Sequence, residues 1–446
     1  MAGAAELNEL LKEELNQLYE EGRNIDRDGW KQKIISAGKD KSALLEIYEE
    51  LQKLPYRDDF PYIEPTCLEG IKGESAFPAD SKPADVDDGY FRGAWLGRCI
   101  GCALGQPVEG RSGEMITEWY KNAGKYPIKG FVPTVSGDKR NEHLSTDEKI
   151  HGMPFDDDTR FTVLNYLLMR DKGLDFDTWD VAVKWSYTLA YRQVFTAESQ
   201  AYLNFLNLDV NPWIKPENAA GFMTDSGVST YLNPYREWIG AQIRADAFGY
   251  IAAGRPALAA ELAWRDARFT QIKNGVYGEM FFAALIASAF TVKDADKCFE
   301  TALSFVPKNS RFREWALFAR EAALSGLTRG ELIKTLVEKG KTLSWVHTLN
   351  NASYCIAAIT RYPGDFREAV TFAVECGMDT DCNGATVGSF TGALLGESAI
   401  PRDLKDPLEN RFSVGVSPYD NYPIDKFASE CASLFREYAG ITRKGE

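Results

Sequence analysis

Histidine is the scarcest chemically useful residue in this chain, with only His143, His151 and His347 among 446 residues. That inventory excludes a histidine-rich zinc site, so a bound metal is expected to be a hard cation held by oxygen. Basic residues are also in deficit, 51 Lys and Arg against 65 Asp and Glu, for a net charge of −14. A nucleic-acid or anionic-membrane surface requires clustered cations and is therefore not expected. No stretch offers the roughly 18 uninterrupted apolar residues of a membrane span. The N-terminal segment MAGAAELNELLKEELNQLYEEG has no apolar signal core. Eight cysteines scattered through a long chain read as reduced thiols, and a cytoplasmic location is expected.

What is present is mostly helical pattern. Leu7, Leu10, Leu11, Leu15 and Leu18 recur at near-helical spacing, so residues 5–54 are expected to be helical. The Pro-, Asp- and Lys-rich stretch 55–86 reads as a linker. Beyond it, WDVAVKWSYTLAYRQ (179–193), PALAAELAWRDARF (256–269), GEMFFAALIASAF (278–290) and REAVTFAVECG (367–377) carry the same period. Alternating strand-like runs are scarce. The expected architecture is all-α, one large helical domain over 88–446 with a helical extension and linker over 1–87.

Two glycine series stand out. Gly93, Gly97, Gly101 and Gly105 recur every fourth residue, as do Gly384, Gly388, Gly392 and Gly396. Each series falls on one side of a helix. Glycine costs about 1 kcal/mol relative to alanine in a helix interior, so the series implies a compensating close approach of helix backbones. A membrane-type small-residue interface is disfavoured, because the stretches are short and the first carries Arg92 and Arg98.

Acidic residues border these helices. Glu109 closes the first series in GQPVEG; Asp156, Asp157, Asp158 and Thr159 open the apolar stretch DDDTRFTVLNYLLM; Asp379 and Asp381 precede the second series in GMDTDCNG. A helix start accepts one such acid as an N-cap. Three successive carboxylates exceed that need and repel one another unless neutralised. Two such clusters, roughly 220 residues apart, make sense if they converge on Mg²⁺ or Mn²⁺, for which Asp carboxylates and a Thr oxygen are suitable ligands. The D-D-x-x-D/E motif of all-α terpenoid synthases is excluded, because Thr159, Arg160 and Phe161 follow Asp157 and Asp158.

At these positions the chain resembles the ADP-ribosylglycohydrolase family. GAWLGRCIGCALGQPVEG (93–110) is similar to the family's N-terminal glycine helix, FDDDT (155–159) to its T-D-D-T motif, and GMDTDCNGATVGSFTGALLG (377–396) to its G-G-D-T-D-T-N signature. IGAQIRADAFGY (239–250) resembles the N-G-x-x-M-R substrate loop. The resemblance covers about residues 88–400, with the motifs in family order. It implies an all-α orthogonal bundle holding two divalent cations, Mg²⁺ or Mn²⁺. Asp157, Asp158, Asp379 and Asp381 stand at metal-ligand positions; Gly240, Ala241 and Arg244 stand in the substrate loop. Acid/base work is expected of Glu109 or Asp157, with Glu109 ahead.

The chain departs from the family at four places: Asp156 replaces the first Thr of T-D-D-T, Cys382 the last Thr of D-T-D-T, Cys102 the Asp after the third glycine, and Ile239 the Asn of the substrate loop. Asp156 is expected to ligate metal and Cys382 not to. The expected activity is hydrolysis of a ribosyl glycosidic bond, on an ADP-ribosylated acceptor or small molecule. Hydrolysis of another ribosyl or nucleoside-like N-glycoside is the first alternative, a non-catalytic metal- or ADP-ribose-binding module the second. Arg236, Arg244 and Arg265 are phosphate-binding candidates weighed against solvated surface charge. His347 is expected to be hydrogen-bonded, and Asn350 and Asn351 to be turn residues or site contributors.

Overall fold

The computed structural model describes residues 6–135, 143–208, 211 and 214–442. Helices account for 62% of it, and among the described residues the only ladders are two pairs of two-residue strands. The chain is therefore all-α.

The scaffold of the site is a pair of helices, Asp88–Gly105 and Thr380–Leu395, packed antiparallel. Glycine determines how close they come. A Cβ added at Gly93 would come within 3.0 Å of the backbone at Gly392; the same holds for Gly97 at Gly388, Gly101 at Gly384, and Gly105 at Thr380. The descending partner numbers follow from the antiparallel arrangement. Only glycine permits this backbone-on-backbone contact, which offsets the weak helix propensity of each position.

Around this pair lie helices enclosed on nearly every side. Lys273–Ala289 is buried from Asn274 onward, and Thr348–Arg361 is buried through Ile359. Of the patterns read from sequence, 256–269 forms the helix Pro256–Ala267 and 367–377 forms Phe366–Glu375. The 179–193 pattern breaks after Thr188 and resumes as a 3₁₀ turn at Tyr191–Gln193, and the 278–290 pattern starts earlier, at Lys273.

The N-terminal extension forms three helices, Leu7–Glu20, Arg27–Ala37 and Lys41–Gln52, around Leu11, Leu15, Leu18, Ile34, Leu44, Ile47 and Leu51. The following segment carries a short helix, Leu68–Glu74. Asp80 then caps the Pro256–Ala267 helix by accepting from the Ala257 and Leu258 amides. The extension meets the large domain through buried charge. Arg236 donates to Glu14 and Glu21; Arg311 donates to Glu64 and Glu237; Gln17 also donates to Glu237.

Candidate metal centre

Three chain segments bring the acids together, and each is held by local structure. Asp156 is the N-cap of the helix Asp157–Lys172, its Oδ1 accepting from the Asp158 amide at 2.9 Å. Its Oδ2 accepts from Gln106 Nε2 at 2.8 Å, which fixes the carboxylate against the end of the first glycine helix. Glu109 and Asp379 are joined by the ribbon Arg111–Ser112 with Gly377–Met378, where Arg111 pairs with Met378 and the Gly110 amide donates to the Met378 carbonyl. The segment leaving the first glycine helix thus runs beside the segment entering the second.

The result is two adjoining triads. Cys102, Asp156 and Asp158 form one; Glu109, Asp379 and Asp381 form the other; within each, one ligand atom per residue lies within 4.8 Å of the others. Asp157 falls in neither triad, yet it feels the charges of Asp156 and Asp379. Glu109 stands exposed at the rim, while Asp156, Asp158, Asp379 and Asp381 are buried. Asp381 Oδ1 is enclosed and accepts no hydrogen bond. A buried carboxylate oxygen without a donor is costly unless a cation meets it.

Electrostatics agree with the geometry. Loss of solvation, then repulsion from Asp379, Asp156 and Asp157, pushes the Glu109 carboxyl up to about 8. Loss of solvation and the charge of Asp156 push Asp157 up to about 7. Burial raises Asp379 to about 6 and carries Asp158 and Asp381 well above the carboxylate range. Without counter-ions the cluster therefore holds protons that ordinary aspartates release. Divalent cations would replace those protons.

Residues outside the acidic motifs orient these acids, and of them only Asn351 was a site candidate from sequence. Arg98, buried inside the first glycine helix, donates to the Asp158 and Ile243 carbonyls at 2.7 and 2.6 Å and to Asp246 at 2.7 Å. Asn351 Oδ1 accepts from the Asp379 amide and from Asn383 Nδ2 at 2.8 Å. Cys99 and Cys102 have a C-x-x-C spacing, and of the two only Cys102 enters a triad. A cation inside a glycine-rich helix was the available signal for Arg98; its partners depend on tertiary structure and leave no sequence signal.

The loop Ile239–Arg244 lies beside this centre, linked to Asp158 through Arg98. Ala241 is buried and Gly240 is partly so. The Arg244 side chain is enclosed: it donates to Glu198 at 2.9 Å, to Asp266, to Thr270 and to the Gly240 carbonyl at 2.8 Å. Its guanidinium shapes the loop from behind. Arg236 and Arg265 are likewise committed, Arg236 to Glu14 and Glu21, Arg265 to the Leu174 and Phe176 carbonyls. All three donate to protein acceptors. His347 is the N-cap of the helix Thr348–Arg361, accepting from the Leu349 amide; Asn350 and Asn351 lie in that helix's first turn.

The ADP-ribosylglycohydrolase family profile matches residues 83–439, about four-fifths of the chain. The chain belongs to the ADP-ribosylglycohydrolase family. Membership assigns it to glycosidase-type hydrolases of the ADP-ribosyl class, whose members act on ADP-ribosylated substrates and generally bind divalent metals. A solved structure described as an ADP-ribosylglycohydrolase-related protein complex aligns with 79% of this chain and 98% of its own, at 20% identity and a TM-score of 0.46. No curated relative matches the sequence. In this ADP-ribosylglycohydrolase family member, Glu109 follows the first glycine helix, Asp379 precedes the second, and Asp156 caps the helix Asp157–Lys172. No described helix is long and apolar enough to cross a membrane.

Proposed function

We propose that this protein hydrolyses a ribosyl glycosidic bond of an ADP-ribosylated acceptor, using two divalent cations held by Asp156, Asp157, Asp158, Asp379 and Asp381. The observation that carries this reading is the gathering of Asp156, Asp158, Glu109, Asp379 and Asp381 into two adjoining triads, with Asp381 Oδ1 buried and without a donor. The donor set fits Mg²⁺ or Mn²⁺ at the all-oxygen triad. Bound there, such ions supply charge that orients the ribose hydroxyls and polarises water.

The chain's own residues do the remaining work. Glu109 is exposed at the rim, where a substrate can reach it, and its raised affinity for protons suits transfer of a proton to the departing group. Asp157 is the second candidate for that role. Gln106 and Arg98 hold the Asp156 carboxylate and the Asp158 backbone in place, and Asn351 does the same for Asp379. Gly240 and Ala241 would meet the ligand through the loop backbone, whose conformation Arg244 maintains by its bond to the Gly240 carbonyl.

A second reading, hydrolysis of another ribosyl N-glycoside, is favoured by Ile239. Its buried apolar side chain cannot offer the amide that an Asn at that position supplies. A hydrolysis screen separates the two: ADP-ribosyl-arginine, ADP-ribosyl-serine, O-acetyl-ADP-ribose and simple nucleosides, each with and without Mg²⁺. Metal-dependent turnover of an ADP-ribosyl substrate is expected. Turnover of nucleosides alone would move the assignment to the second reading.

A further inference from the structure

We propose that Cys102 is itself a metal ligand, and that its triad takes a thiolate-accepting transition ion such as Co²⁺ or Zn²⁺ in preference to Mg²⁺. This rests on the two-cation reading above and adds the chemistry of each position. The triads are unlike. Glu109, Asp379 and Asp381 offer only oxygen, whereas Cys102, Asp156 and Asp158 offer two carboxylates and a sulfur within 4.8 Å of one another.

The Cys102 side chain is fully enclosed, with its sulfur within 4.8 Å of a carboxylate oxygen of Asp156 and of Asp158. Asp158 and Asp381 stand close enough for their charges to act on it. In the adjoining triad Asp381 Oδ1, on a residue only 5% exposed, is orphaned, so the paired centre as a whole calls for cations. Cys382 and Cys355, both buried near these acids, join neither triad.

Binding would release the thiol proton to solvent and form a metal–thiolate bond, without change of oxidation state. Two carboxylates and a thiolate around a doubly charged ion leave one negative charge, and the Arg98 guanidinium, 3.5 Å from Asp158 Oδ1, offsets it. Mg²⁺ avoids sulfur and prefers octahedral oxygen, whereas Co²⁺ and Zn²⁺ accept thiolate readily.

The test uses the full chain, stripped with EDTA, with the exposed Cys67 replaced by serine throughout. Co²⁺ is titrated while heat and near-ultraviolet absorption are recorded together. A sulfur-to-cobalt charge-transfer band is expected in this parent and in Cys382→Ser, and its loss in Cys102→Ser. Mg²⁺ should displace Co²⁺ at least about tenfold more readily from Cys102→Ser, the scale on which a single residue alters metal affinity. Co²⁺ binding by heat without the band overturns the proposal and leaves the two-cation reading intact, as does a band that disappears with Cys382. Absence of any binding heat overturns both. Should Cys102→Ser fail to fold by circular dichroism, the band in the parent and its persistence in Cys382→Ser still decide.

Discussion

Asp379 shows how a single residue carries structure and chemistry together. Its amide is held by Asn351 and its carboxylate belongs to the triad at the rim, with repulsion from Asp156 acting on it. Asp379→Asn is expected to abolish turnover while far-ultraviolet circular dichroism stays unchanged; normal turnover would remove Asp379 from the mechanism. The raised carboxyls also predict a pH dependence. A carboxyl whose proton affinity is higher folded than unfolded stabilises the fold fully below its unfolded pKa and loses that contribution as pH rises through its folded pKa. For Asp379, Asp157 and Glu109 the folded values are about 6, 7 and 8. The melting temperature of metal-free protein should therefore fall between pH 4 and pH 8, and the increment conferred by Mn²⁺ should grow over the same window. A metal increment independent of pH would show that cations and protons do not compete for these groups. The acids were legible in the sequence because three adjacent carboxylates have no other economical explanation. Arg98 and Gln106 were not, because their hydrogen-bond partners come from segments that only folding brings near; Asn351 was a candidate, but its bond to the Asp379 amide was not legible. Arg244 was legible as a loop residue, but its enclosure by Glu198, Asp266 and Thr270 was not.

At the scale of elements, the spacing of glycine every fourth residue signalled a close helix contact, and the two series pack against each other. The periodicity could not state their antiparallel sense. That follows from the tertiary route of the chain, which returns after more than two hundred residues to place Thr380 against Gly105. Because backbone meets backbone, the pair cannot yield to a side chain. Gly101→Ala should therefore destabilise the protein by at least about 2 kcal/mol in urea denaturation, as overpacking of a tight core does. Gly364→Ala is the control, since an added Cβ there meets nothing within 4 Å. Equal stability of the two variants would contradict this packing. Helix boundaries were less legible than helix existence, as at Lys273, where the buried polar start NGVYGE shows no apolar period.

At the scale of the molecule, the extension is joined to the large domain by charge as well as by apolar contact. Its own core is small for an independent unit, and Tyr48 reaches across to the Leu232 amide. The sequence showed helices here but not their docking, because the leucine spacing says nothing of which polar residues are enclosed. Glu14, Gln17 and Glu21 are buried instead, with Arg236 between Glu14 and Glu21. Arg236→Ala leaves those two carboxylates enclosed without their guanidinium and should cost about 3–5 kcal/mol, the range for breaking a buried pair. A loss under about 1 kcal/mol, typical of exposed pairs, would show that the extension is held otherwise.

The central claim is that acids distant in sequence form one centre made tolerable by doubly charged ions. Calorimetric titration of EDTA-stripped protein with Mn²⁺ near neutral pH tests it most directly. The account predicts saturable binding of two ions per chain, with at least one lost in Asp379→Asn. Absence of saturable heat, together with a melting temperature that EDTA leaves unchanged, would contradict it.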